Sequence, residues 1–173
     1  MRRATRVAPL LVVLCALTSA TSARAQSTGR TPEKITGYAG YQFGMTLEQA
    51  KVVDSQAKIV DCDYANDVSI CIEKQASFFG ETGRIHVLFS RTTKQVIQIN
   101  VAFEHLQASE GACQRAVKTV VEALFARFDR PTKMADGGLQ WYAPSGGAVS
   151  FSNLCLGPDT GVVIVSYQPS AGF

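Results

Sequence analysis

The chain has 173 residues, 17 of them Lys or Arg and 14 Asp or Glu, for a formal charge of +3. Beyond the first 25 positions no segment gathers the basic residues into a cluster, which excludes the electrostatic footprint of a nucleic-acid or anionic-membrane binder there. Four of the basic residues (Arg2, Arg3, Arg6, Arg24) stand in the first 25 positions with no acid among them, leaving 13 basic and 14 acidic residues, a net of −1, in the rest.

Those first 25 positions read as a secretory signal peptide. Arg2, Arg3 and Arg6 supply the positive n-region, Val7 to Leu17 the apolar h-region, and Ala23-Arg24-Ala25 an A-x-A cleavage site before Gln26. An uncleaved anchor is the alternative, and the length of the apolar run disfavours it, since a bilayer needs about 20 apolar residues. Lipoprotein processing at Cys15 is disfavoured because Leu14 precedes it where a small residue is required. The expected product is cleaved after Ala25, carries no membrane span, and is periplasmic or extracellular.

Residues 26–36 ("QSTGRTPEKIT") are polar and aperiodic and read as a flexible leader. Order is expected from Gly37 to Tyr41 onward. Within "YQFGMTLEQAK", Thr46 and Gln49 form a capping box. Met45 and Ala50 occupy the staple positions and Glu48 lies in the first turn. These signals predict a helix over Leu47 to Asp54. As a phosphate loop "FGMT" is poor, with one glycine and no Lys-Ser/Thr.

The period then changes to two. Lys58 to Asp63 and Val68 to Lys74 are predicted strands flanking "YAND". Ile85, Val87 and Phe89 alternate with Arg84, His86 and Leu88. Ile97, Ile99, Val101 and Phe103 alternate with Val96, Gln98, Asn100 and Ala102. Separated by "SRTTK", these runs predict a hairpin with one buried face. "FFG" at Phe78-Phe79-Gly80 reads as either an exposed tip or the buried start of the strand, and burial is favoured because large aromatics are usually inside.

A second helix is predicted after Ser109, the expected N-cap, with Glu110 behind it. Cys113, Val117, Val120, Leu124 and Phe128 form an apolar stripe, with Arg115, Lys118, Glu122 and Arg127 off it, and Pro131 closes the segment. Strands follow at Leu139 to Ala143, Ala148 to Leu156 and Gly161 to Gln168, with "PSGG" and "GPDT" as turns.

The chain after Ala25 keeps four cysteines, Cys62, Cys71, Cys113 and Cys155, an even count that reads as two disulfides in an exported protein. Three pairings are open; Cys62–Cys71 with Cys113–Cys155 is preferred because each bond then falls within one half of the chain. Cys113 is on the helix stripe and Cys155 is in phase with Val149 and Phe151, so both should face one core. Zinc is the competing reading, and the wide spacings and the presence of only two histidines argue against it.

The fold class expected is α+β. Two tandem helix-plus-antiparallel-meander units, residues 37–106 and 107–173, pack their helices on one face of the sheet, each stapled by a disulfide. One joint domain with a continuous sheet is the alternative. In "FGMTLEQAK", "RFDRPTK", "LQWYA" and "GVVIVSYQ" the chain resembles the small exported bacterial helix-plus-sheet repeat proteins of the β-lactamase-inhibitor-protein-like superfamily. It is similar, secondly, to the small outer-membrane-assembly lipoproteins, from which it departs by lacking an acceptable lipidation cysteine. The resemblance implies a fold that binds other proteins and carries over no functional residue.

No catalytic, cofactor or metal site is predicted. His86 and His105 have no partner set by spacing. There is no G-x-S-x-G elbow, and Asp61, Asp63 and Asp67 read as a solvated turn because the glycine and distal glutamate of a calcium loop are missing. Tyr142 should lie on the opposite face from core Trp141 and is the first candidate partner contact; Tyr38 and Tyr41 are the others. The leading expectation is therefore a non-enzymatic protein-binding module, an inhibitor or envelope-assembly accessory, whose partner is another envelope or secreted protein. A small-ligand or lipid carrier, with a pocket between helix and sheet lined by Phe125, Phe128 and Trp141, is the alternative. A hydrolase would require His86 or His105 in a cleft beside a carboxylate or nucleophile.

Overall fold

Thr46 opens the first helix as expected. Its hydroxyl accepts from the Gln49 backbone amide at 3.3 Å, and the Gln49 side chain accepts from the Thr46 amide at 2.9 Å. A helix this short is marginal alone, so the reciprocal cap and the burial of Ala50 hold it. The computed structural model describes residues 32, 34–62, 68–104, 111–156 and 161–170. The expected signal peptide, most of the leader, "YAND", His105, Ser109 and "GPDT" lie outside them.

Helix α1 spans Leu47–Val53 and α2 spans Ala112–Arg127. The strands are β1 Gly37–Tyr38, β2 Tyr41–Gln42, β3 Lys58–Asp61, β4 Val68–Phe78, β5 Glu81–Ser90, β6 Val96–Glu104, β7 Thr132–Lys133, β8 Leu139–Tyr142, β9 Ala148–Cys155 and β10 Gly161–Gln168. β1 and β2 form a small hairpin of their own. The other strands make one eight-stranded antiparallel sheet in the order β3-β4-β5-β6-β10-β9-β8-β7. Two meanders therefore meet where β6 pairs with β10.

The core lies between sheet and helices. Ala50 of α1 and Cys113, Ala116, Val120 and Leu124 of α2 share one buried cluster with Ile72, Val87, Val101, Val165, Phe151 and Trp141 from six strands. A fully buried Val or Leu contributes roughly 1.5–3 kcal/mol, so the α2 stripe accounts for much of that helix's stability. Both disulfides are present as Cys62–Cys71 and Cys113–Cys155. They lie on opposite faces of the sheet. Cys113–Cys155 joins α2 to β9 within the core, whereas Cys71 points away from it and packs with Cys62 and Leu88 in a separate cluster.

Several expectations need correction. Gly111, in the left-handed region at φ 73°, is the N-cap of α2 and provides no side-chain bond, since glycine has none to offer. Ile35, expected in the leader, is 6% exposed and donates its amide to Gly146 O at 3.0 Å. From there the chain passes through β1 and β2 to Gly44 and Met45, which exchange backbone bonds with Val96. The segment thus spans from the β8–β9 turn to the start of β6. Phe79 is neither an exposed tip nor the start of a strand. It occupies the two-residue β4–β5 turn with Gly80, both at positive φ (53° and 85°), the pairing that matches strand twist. The expected burial holds for Phe78, which is 8% exposed at the end of β4, with Phe79 packed against the same core. The β5–β6 hairpin does not bury one face only, because His86 and Leu88 are buried as well. A bulge between Leu88 and Phe89 also puts Val96, not Ile97, opposite Phe89.

Candidate functional site

The face of the sheet away from the helices has an order that alternation alone does not reveal. Directly opposed residues in antiparallel strands share a face. On this face the registers align Thr132 with Gln140, Gln140 with Ser150, Ser150 with Ser166, Ser166 with Asn100, Asn100 with His86, His86 with Glu73, and Glu73 with Lys58. One polar residue from every strand of the large sheet therefore stands in a single transverse row. At about 4.8 Å per strand the row is roughly 34 Å long.

Charge is concentrated at one end. Glu73 Oε1 lies 3.7 Å from Arg84 Nε, and Glu73 Oε2 lies 3.9 Å from His86 Nε2. Gln98 Nε2 donates to Asn100 Oδ1 at 2.8 Å in the middle. The far end, Ser166, Ser150 and Gln140, is uncharged and partly exposed. Beside it Tyr142 is 60% exposed and donates its hydroxyl to Gln140 Oε1 at 2.6 Å. That bond ties the phenol to the neighbouring member of the row on the same strand. On the other flank, Ile164 opposes Ala102 and Ser152, and Leu154 opposes Val162.

This arrangement presents amides, hydroxyls and one aromatic ring on one face of the sheet. His86 is 5% exposed and has a carboxylate for a neighbour. Their 3.9 Å separation exceeds a hydrogen bond. Asn100 separates the imidazole from Ser166 along the row. Among the described residues no group of three or more His, Cys, Asp or Glu side chains is arranged to hold a metal ion, and Asp61 is exposed at the end of β3.

The three tyrosines singled out from sequence have separate fates. Tyr142 lies on the row's face. Tyr41 is 2% exposed in the core, so burial removes it as a surface contact. Tyr38 is half-buried in an aromatic stack on the helix side, against Tyr167 and Phe79, with the Arg127 guanidinium 5.8 Å from its ring centroid. Burial raises the Tyr38 and Tyr167 hydroxyls above the usual phenol range. Gln140, Ser150, Ser166 and Asn100 were not legible as a group. Each occupies an ordinary polar position, and only the register aligns them.

Phe128 and Trp141 are buried, and Trp141 is in ring contact with both Phe125 and Phe128. Trp141 Nε1 also donates to Asp129 O at 2.7 Å. These rings pack on one another. A hollow of about 300 Å³ lies elsewhere between helix and sheet, lined by Thr46, Leu47, Glu48, Ile70, Phe89 and Lys94. Among the described residues no helix is long and apolar enough to cross a membrane. No protein-family model matches the chain, and no curated protein or solved structure matches it either.

Proposed function

We propose that this chain is an exported, non-enzymatic protein-binding module that holds another envelope or secreted protein on the face of its sheet away from α1 and α2. The observation that carries the reading is the polar row from Thr132 to Lys58 with exposed Tyr142 beside its neutral end. A hydrogen-bonded sheet backbone is already ordered and has little conformational entropy left to lose on binding, and an exposed tyrosine held by a hydrogen bond is the type of residue that anchors interfaces. The signal-peptide pattern and the paired cysteines support export, with cleavage after Ala25. The meeting of two four-stranded meanders at β6 and β10 supports an origin in two tandem helix-plus-meander units. The roles that fit are an inhibitor or an envelope-assembly accessory. Affinity capture from the native envelope tests this, with the Gln140→Ala/Tyr142→Ala double variant as control. One recurrent protein lost with the double variant supports the reading. Recovery of the same protein with both forms counts against it.

The hollow beside α1 favours a second reading, a carrier of a small apolar ligand, at a different place from the Phe125–Phe128–Trp141 cluster. Native mass spectrometry of the chain purified from its own envelope, showing a bound lipid or metabolite and no protein partner, supports that alternative.

A further inference from the structure

The sheet has a step at each end, and the two steps differ. Strand β8 covers β9 only from Ala148 to Phe151, whereas β10 backs β9 along its whole length to Cys155. Preceding β8, the chain folds back on itself, with Met134 N donating to Gly138 O and Gly138 N donating to Asp136 Oδ1. Among the described residues no strand lies outside Ser152–Cys155. Ser152, Asn153 and Leu154 are exposed, Leu154 at 55%, and Leu156 beyond them is 72% exposed.

At the other end β3 covers β4 from Ile70 to Glu73 and leaves Lys74–Phe78 uncovered. That step is guarded. Lys74 stands at its start, with its ammonium 2.7 Å from Asp54, and an edge lysine is a common defence against strand addition. The β9 step, Ser152-Asn153-Leu154-Cys155-Leu156, contains no charge and no proline.

Alternate backbone amides and carbonyls of an edge strand point outward at strand spacing, and a second extended backbone is the structure that matches them. We propose that the β9 step is a strand-addition site for an extended, uncharged peptide segment of a partner protein, hydrogen-bonded along Ser152–Cys155 with an apolar side chain seated on Leu154. A second copy of the chain fits less well. Self-pairing over so short a step falls far below the roughly 1,200 Å² that a stable protein interface buries. Leu154 lies on the flank of the proposed recognition face, but the bonds proposed here run along the backbone edge of β9 and do not involve Tyr142 or the polar row, so either proposal can fail without the other.

The test uses the full chain and a phage-displayed library of random peptides about ten residues long. Selected peptides are expected to be uncharged with alternating apolar residues. On binding, amides within residues 152–156 should gain hydrogen-exchange protection. Leu154→Lys should weaken binding at least about tenfold, and Tyr142→Ala should leave it unchanged. Leu156→Lys is the second variant should Leu154→Lys fold poorly. The proposal is overturned if no peptide is selected, if protection appears at other strands, or if both lysine variants bind like the parent. Protection of residues 152–156 that grows with protein concentration in the absence of peptide would also overturn it, in favour of self-association.

Discussion

Tyr38 and Tyr167 stack with ring centroids 4.3 Å apart and planes 16° from parallel. The contact fastens the N-terminal segment to the last strand. Phe79 lies on Tyr38 as well, with centroids 5.8 Å apart and planes at 17°. Tyr38→Ala removes these stacks and part of the buried surface, and should cost about 2 kcal/mol. Tyr38→Phe keeps the rings in place and should cost under about 1 kcal/mol. Urea unfolding of the two variants measures the difference. Equal midpoints for Tyr38→Ala and the parent would mean that the segment is not fastened there.

The two disulfides should differ in strength according to the loops they close. Cys113–Cys155 spans a separation of 42 residues and Cys62–Cys71 a separation of 9. In the chain-entropy account these correspond to roughly 4 and roughly 2.7 kcal/mol. Replacing each pair with alanine should therefore lower stability more for the first than for the second.

Gly161 provides a related test. A methyl group there would run into Cys113 Sγ and lie 2.8 Å from Leu154 O. Gly161→Ala should cost about 1–3 kcal/mol in the parent and distinctly less in the Cys113→Ala/Cys155→Ala background, where the sulfur is gone. A double-mutant cycle reads the coupling directly.

Lys74 and Asp54 should give stability a bounded pH window. The Lys74 hydrogen bond, followed by the Gln56 amide, lowers the Asp54 pKa below its ordinary 3.8. A group lowered on folding stabilises above its unfolded value, and the gain is lost as pH falls through the folded value. Asp54 in turn raises Lys74 above 10.5, so its contribution is present below that value and is lost as pH rises through the folded one. The melting-temperature deficit of Asp54→Asn should be flat from about pH 5 to about pH 9 and narrow on either side. It should also shrink with added salt, since both partners reach the surface. A deficit that persists unchanged at pH 3 would assign the effect to something other than the ion pair.

What the sequence revealed was local. The α1 capping box involves residues three apart, and the α2 stripe is a repeat along one helix, so both were legible. The cysteine pairing was preferred because each bond falls within one half of the chain, and the core phase shared by Cys113 and Cys155 agreed with it. What escaped was set by distant parts of the chain. Nothing near Ile35 shows that Gly146 will accept its amide. Tyr41 and Tyr142 look alike as exposed aromatics until α1 and the sheet close over one of them. β7, with two residues, is too short to show alternation. Phe79 concealed a turn because a bulky residue at positive φ is rare. The polar row is the extreme case. Each member has the residue type expected on a solvated face, and only the registers across seven strand pairs bring them into line.

Site-specific photo-crosslinking tests the binding face most directly. A benzoylphenylalanine would be placed at Tyr142 or Ser150 on the face away from α1 and α2, and at Glu122 or Val52 on the helices as controls, in chain expressed with its own signal in its native envelope. One recurrent protein adduct is expected from Tyr142 and Ser150 and none from Glu122 or Val52. Adducts from the helix positions alone, or none from the sheet positions, would contradict the assignment of this face as the binding surface.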